Sequence, residues 1–425
     1  MPRLLYSFLF YLALPFLLFR LWWRGLKAPA YRKRWLERLG LNYAKAENTK
    51  QPIWIHAVSV GETLAIVPLV KLLQARHPDI PIVMTTMTPT GAERVEVTFG
   101  EGVTHYYCPY DIPCAIQRFL THLNPRGCVI VETELWPNLI NACSKRNIPV
   151  LVANARLSER SAKGYARFGL MAEQMLQQIE CIAVQNSIDG ERFLNLGVPP
   201  SSLEVTGSIK FDVKVPEGEE RLAFALRELW GQSRPVLIGA STHEGEETAL
   251  LQAYQGLLAC YPELLLVVVP RHPERFDHVA ELIKQQNFKL ARRSLGQQPN
   301  QATQVYLGDT MGELMKLLAA ADIAFVGGSL IERGGHNPLE PAVLRKPVLM
   351  GPHFYNFQLI CDSLSSAGAL TVISTADKLA VEVKRLLNNP ESMAKQGQAG
   401  YRFVQDNQGA LEKLYALVDK KCLRK

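Results

Sequence analysis

Three groups of residues in this 425-residue chain could do chemistry: carboxylates where apolar runs end, cations beside them, and a glycine-rich loop. The loop is residues 327–341, GGSLIERGGHNPLEP. Two glycine pairs flank Arg333 and lead into Asn337, Pro338, Leu339 and Glu340, with the apolar run 323–326 just before them and a helical pattern from Pro338. That is strand, glycine loop, helix. Glycine lets a backbone approach a ligand closely, and the helix start aims free N–H groups and a positive dipole end at an anion. Glu340 could accept hydrogen bonds from ribose hydroxyls, as acidic residues do in dinucleotide folds. The bland alternative is a tight strand-to-helix turn with no ligand.

Glu62 follows the run 53–58 and falls in the first turn of a helix opened by Gly61. Two readings stay open: a carboxylate that only complements the helix dipole, or a base that deprotonates an acceptor hydroxyl. Glu132 and Glu134 share one face by period-two alternation at the end of the run 128–131. Their mutual repulsion requires a partner or a raised pKa for at least one. Glu132, nearer the strand, is the functional candidate. Lys210 closes another run and is either a surface lysine or an anion holder, with Asn154 and Arg156 in a similar position. In the second half, Arg271 ends a strand pattern, and residues 241–245 and 308–313 are strand-to-helix turns with free hydroxyl and N–H groups. With the glycine loop these make four strand-end features in one half, which suggests a site for a nucleotide phosphate and base.

The elements that must position these residues are continuous apolar runs separated by helical patterns, the mark of parallel sheets covered on both faces. The first series is 53–58, 80–84, 103–107, 128–131, 150–153, 181–184 and 203–206. The second is 236–239, 264–269, 305–307, 323–326, 348–350 and 370–373. A charged stretch broken by Pro216 and Gly218 joins them. The expectation is an α/β chain of two doubly wound Rossmann-like domains, 24–214 and 215–425, facing each other across a cleft. Residues 392–418 read as largely helical and are expected to pack back on the first domain.

Residues 1–40 carry eight basic residues against Glu37 alone, an excess equal to the whole chain's net charge of +7. The remainder is neutral, so a nucleic-acid binder with a basic folded body is not expected. Residues 4–23 are apolar except for Arg20, a length of about 30 Å as a helix, which matches a bilayer core. Residues 1–23 are therefore read as a membrane anchor, spanning or interfacial, with spanning expected. The basic cluster that follows argues against an exported signal peptide and keeps the rest in the cytoplasm. Eight scattered cysteines form no C-x-x-C pair, nine histidines form no metal-binding pattern, and no metal site is expected.

Assembled, the motifs resemble the bacterial 3-deoxy-D-manno-octulosonic acid (Kdo) transferases. The carriers are KAPAYRKRW at 27–35, SVGET at 59–63, MTTMTPTG at 84–91, ETELWPNLI at 132–140, STHEGE at 241–246, VPRHPERF at 269–276, GDTMGEL at 308–314 and the glycine loop. The resemblance implies a GT-B glycosyltransferase with CMP-Kdo as donor, lipid IVA as acceptor and the bacterial inner membrane as location. It also implies inversion at the anomeric carbon with no metal and no separate cofactor. By the same resemblance Glu62 is the general base, while Glu132 and Lys210 stabilise the transition state. CMP is held by Pro270, Arg271, Met311, Gly312, Glu313, Asn337, Pro338, Leu339 and Glu340. Arg333 either faces the donor carboxylate or braces its loop. Two Kdo transfers are expected. The alternatives are another GT-B enzyme using a different sugar nucleotide on a lipid, and a sugar-nucleotide epimerase.

Overall fold

The computed structural model describes residues 3–43 and 50–424. These form two compact units, Met1–Asp212 with Gln408–Lys425, and Val213–Asn407.

The first unit is built on seven parallel strands: β1 (Ile53–His56), β2 (Ile82–Thr86), β3 (Thr104–Tyr107), β4 (Gly127–Val131), β5 (Val150–Ala155), β6 (Cys181–Val184) and β7 (Leu203–Val205). Their order is β3-β2-β1-β4-β5-β6-β7. Side chains alternate between two cores, with Trp54, Val83, Cys128 and Ile130 on one face and Ile55, Met84, Val129 and Val131 on the other. Burial on both faces explains why the inner strands β1, β2, β4, β5 and β6 read as apolar runs, while the edge strands β3 and β7 stay partly exposed. The strand order reverses between β1 and β4, so their carboxyl ends border the crevice where such sheets bind ligands. Glu62 and Glu132 follow those two ends.

The second unit repeats the plan with β8 (Val236–Thr242), β9 (Leu265–Pro270), β10 (Leu290–Arg292), β11 (Val305–Leu307), β12 (Ile323–Val326), β13 (Val348–Met350) and β14 (Leu370–Val372). The order is β10-β11-β9-β8-β12-β13-β14, all parallel. Here the reversal lies between β8 and β12, and the glycine loop follows β12. The α/β class and both doubly wound sheets match the sequence reading. Edge strand β10 is absent from it, because Leu-Ala-Arg carries no apolar run.

The N-terminal helix, Arg3–Lys27, is long and apolar enough to cross a membrane. One of its faces nevertheless lies on the first unit. Ser7 Oγ donates to Asn138 Oδ1 at 3.0 Å and Arg3 Nη1 to the same oxygen at 3.2 Å. Phe10, Leu14, Leu17 and Leu18 pack against Tyr110, Ile112 and Ala115. Leu4, Phe8, Leu12, Phe16, Phe19 and Trp23 point outward and are exposed.

The tail is two helices, Pro390–Asn407 in the second unit and Ala410–Val418 in the first. Gly409, at φ 97°, makes the break. Leu411, Leu414 and Val418 join the core that holds Ile66, Leu69 and Val70. Asp212 fixes the entry to this last helix, accepting from Gly409 N and Leu411 N at 2.7 Å each. Loss of a carboxylate cap costs about 1–2 kcal/mol. Asp212→Ala should lower the stability of the first unit by that amount in urea unfolding and speed proteolysis near residue 408.

Candidate active site

Ser59 is the N-cap of the helix Val60–Arg76, and Glu62 sits three residues on, the capping-box spacing. Its side chain turns back: Val58 N donates to Oε2 and Ser59 Oγ to Oε1, both at 2.7 Å. Burial pushes this carboxyl up to about 7 against the pull of those two bonds, and the Glu134 and Glu132 carboxylates add to the rise. The helix-start reading and the base reading are therefore not exclusive. The cap holds in place a carboxyl poised near neutrality.

Glu132 leaves β4 at φ 59°, a left-handed conformation that costs energy outside glycine. Its charge counters the fall that burial imposes on the Lys210 ammonium, while Arg156 adds to that fall. Lys210 lies in a short turn, Ile209–Phe211, secured where Ile209 N donates to Asn154 Oδ1 at 3.3 Å. Asn154 is itself left-handed at φ 53° and sits where the β5–β6 register shifts. Burial also raises Glu134, partly offset by the Trp136 indole N–H that donates to it at 3.2 Å. Glu62, Glu132, Glu134, Lys210 and Arg156 thus form one charged group at the sheet's switch point.

In the second unit the glycine loop differs from expectation. Its first N–H groups are already occupied. The Glu246 carboxylate, 0% exposed, accepts from Gly328 N at 2.7 Å, Ser329 N at 2.9 Å, Leu330 N at 3.0 Å and His243 N at 3.0 Å. Gly327 is required by crowding: a Cβ there would lie 2.4 Å from the Ser241 carbonyl oxygen. The helix after the loop is only Leu339–Val343, five residues, too short to build the full dipole that the sequence pattern suggested.

The far end of the loop keeps its polar groups together. Asn337 Nδ2 donates to Glu340 Oε1 at 3.3 Å, and Asn337 Oδ1 accepts from Leu339 N at 3.1 Å. Burial raises the Glu340 carboxyl, with Asn337 and the Arg271 guanidinium opposing. Arg271 leaves β9 after Pro270, its N–H held by Thr242 O at 3.0 Å, and its exposed side chain also acts on His336. Arg333 is exposed and acts on His243. Met311 is 61% exposed and Gly312 has φ 82°, but the Glu313 carboxylate is engaged by Arg293 at 2.8 and 2.9 Å and by Lys316 and Thr310. Those cations hold it well below the usual carboxylate range. Backbone groups, rather than this side chain, are what the 311–313 turn leaves for a ligand. The sequence reading passed over His336, whose Nε2 lies 2.8 Å from that of His243 with the rings stacked. Only spatial proximity reveals that pair.

Residues 33–213 match the family described as 3-deoxy-D-manno-octulosonic-acid transferase (kdotransferase), and residues 237–403 match glycosyl transferases group 1. The 3-deoxy-D-manno-octulosonic acid transferase of Haemophilus influenzae is 47% identical over 419 residues, covering 98% of either chain. That of Bordetella pertussis is 35% identical, covering 87% of each. Among solved structures, the UDP-GlcNAc 2-epimerase of Neisseria meningitidis bound to UDP-GlcNAc has a TM-score of 0.55 at 14% identity, covering 87% of this chain and 100% of that one. That likeness is of fold alone.

Glu246→Ala strands buried N–H groups, each worth about 1–3 kcal/mol when left unpaired. The second unit should lose several kcal/mol of stability by calorimetry, and Glu246→Gln, which keeps one acceptor oxygen, should lose less.

Proposed function

The chain belongs to the 3-deoxy-D-manno-octulosonic acid transferase family, and we propose that it moves Kdo from CMP-Kdo to lipid IVA, inverting the anomeric carbon without a metal ion. The observation that carries the mechanism is the Glu62 carboxyl near 7, held by Val58 N–H and Ser59 Oγ beside two further carboxylates. A base with that pKa is ionised for much of its time at neutral pH and still takes a proton readily. As the acceptor hydroxyl oxygen attacks the anomeric carbon, Glu62 accepts its proton and the bond to the CMP phosphate breaks. Lys210 and Arg271 stabilise the negative charge that passes to the phosphate, and Glu132 opposes the fall that burial imposes on the Lys210 ammonium. Fixed cations in this role supply the electrostatics that a metal would otherwise bring. Asn337 and Glu340 hold the ribose side of CMP, with the 311–313 backbone and Pro270 closing its site.

The N-terminal helix fits an anchor in the bacterial inner membrane, with both units on the cytoplasmic side. Its docked face favours lying in the interface over spanning. Arg20, Arg24, Lys27 and Arg32 would then meet the anionic leaflet, where each such charge contributes about 1 kcal/mol. We expect two successive transfers, read as product mass after incubation of EDTA-treated enzyme with lipid IVA and CMP-Kdo. Release of UDP from a UDP-sugar, with no CMP from CMP-Kdo, would instead establish the other lipid-directed GT-B reading.

The active form is the ionised base, so activity rises with pH. kcat/KM should climb through a midpoint near 7 and level off above it. Glu62→Gln should remove that limb and lower kcat by about 10²–10⁴-fold while CMP-Kdo still binds. A wild-type-like profile in this variant refutes the base assignment. Arg271→Ala should weaken CMP-Kdo binding by about 10–100-fold in calorimetric titration, the loss of one charge-assisted contact.

A further inference from the structure

Under the N-terminal helix the first unit holds a cavity of about 400 Å³. Phe10 and Leu17 line it from the helix, and Met87, Tyr110 and Trp136 from the unit. Arg20, Arg24, Arg38 and Asp111 also line it, so charged residues stand among these apolar walls. Asp111 is spoken for, because it accepts from Asn138 N at 3.0 Å and Leu139 N at 2.7 Å. Arg24 lies over the Tyr31 ring at 5.2 Å.

Arg38 is different. It is 2% exposed, and its guanidinium sits 4.1 Å from the Tyr107 ring centroid. Among the described residues its Nε has no hydrogen-bond partner, and its Nη1 reaches only the Met87 sulfur at 4.0 Å. The adjacent Glu37 carboxylate acts on it through space but gives it no hydrogen bond, being bound by Arg34 at 2.6 and 2.9 Å and by Tyr107 N at 2.9 Å. A buried cation without a hydrogen-bonded anion is costly. An anion in the cavity would bring a second counter-charge beside it.

Cations within apolar walls suit an anion that carries a hydrocarbon chain. A volume at the low end of small-molecule sites takes a phosphate and part of one chain, not a whole lipid. The outward apolar face of the same helix offers the route from a membrane. Two residues tie the cavity to the carboxylate group. Trp136 lines the cavity and donates to Glu134, and Met87 N donates at 3.2 Å to the carbonyl of Val58, whose N–H holds Glu62. That shared wall favours the acceptor over bulk lipid.

We propose that this cavity binds a phosphate of the acceptor glycolipid on Arg38 and Arg20, with an adjoining acyl chain against Phe10, Leu17 and Tyr110. The assignment rests on the reading that the protein glycosylates lipid IVA. The test uses the full chain in detergent micelles, on a Glu62→Gln background that prevents turnover, with labelled lipid IVA as probe. Arg38→Gln should weaken lipid IVA binding at least tenfold, as should Leu17→Trp, which fills the cavity without touching a charge. CMP-Kdo binding should not move in either, which also reports that each variant is folded. Removing the phosphates from lipid IVA should weaken its binding to the parent but not to Arg38→Gln. Unchanged lipid IVA affinity in Leu17→Trp overturns the site. So does equal competition by phosphatidylglycerol at the same phosphate concentration, which would mark a general anionic-lipid site. The transfer reading fails separately: an otherwise wild-type chain whose lipid IVA binding depends on Leu17 and Arg38, yet which releases no CMP from CMP-Kdo, binds the lipid without glycosylating it.

Discussion

Where neighbouring strands of a doubly wound sheet part company, the backbone leaves N–H groups with no strand to bond, and buried carboxylates take them. Glu246 does so with four donors at the β8–β12 divergence. Its charge would be prohibitively expensive there without them, since a buried carboxylate is tolerable only when its lone pairs are met. The same device recurs in the first unit: Asp111 meets Asn138 N and Leu139 N, and Glu62 meets Val58 N. Each pairing pins a strand-end loop to a neighbouring helix start or strand end. The candidate site residues ride on those loops, so their positions depend on these few charge-assisted bonds.

This arrangement also separates carboxylates that would otherwise behave alike. Glu62 and Glu134 are both raised by burial, yet each has different company, hydroxyl and backbone donors for the first and an indole for the second. Glu132 faces Lys210 instead. One pair of opposite charges beside one carboxyl near neutrality is a workable division between electrostatic support and proton transfer. The backbone bears part of the cost. Glu132, Asn154 and Ser241, none of them glycine, take φ values of 59°, 53° and 56° at strand ends bordering these sites. Register shifts accompany Asn154 and Ser241, and such bulges re-aim chains near functional sites.

Residues whose role follows from local pattern were legible in the sequence. Apolar runs placed every strand but β10, and the turn at Gly61 placed Glu62 at a helix start. Roles set by distant partners were not legible. Glu246 lies inside the STHEGE motif, but its bonds reach residues 328–330, and no spacing rule links them. The loop's glycines therefore looked free to cradle a ligand when its first N–H groups were already engaged. The pairing of Glu313 was hidden in the same way, since Arg293 cannot be matched to it from sequence. Arg38 read as one more charge in a basic stretch, and only its burial distinguishes it. The break at Gly409 was hidden because both flanking segments favour helix, and only the change of unit explains the turn.

The N-terminal helix shows how much one docked face changes a hydropathy argument. Length and composition allow it to span a bilayer, and that was the sequence expectation. A spanning helix must present hydrocarbon-compatible surface all round, whereas this one gives Ser7 and Arg3 to Asn138 and packs Phe10, Leu14, Leu17 and Leu18 on protein. Pulling it into the bilayer core would uncover Tyr110 and Ile112 and strip those polar contacts. Lying along the surface preserves them and leaves Leu4, Phe8, Leu12, Phe16, Phe19 and Trp23 to meet lipid. A helix lying this way on a membrane would be shallow, its apolar face about 5–10 Å into the headgroup boundary. At that depth the cavity beneath it would open level with lipid phosphates, the height that an acceptor phosphate on Arg20 and Arg38 requires.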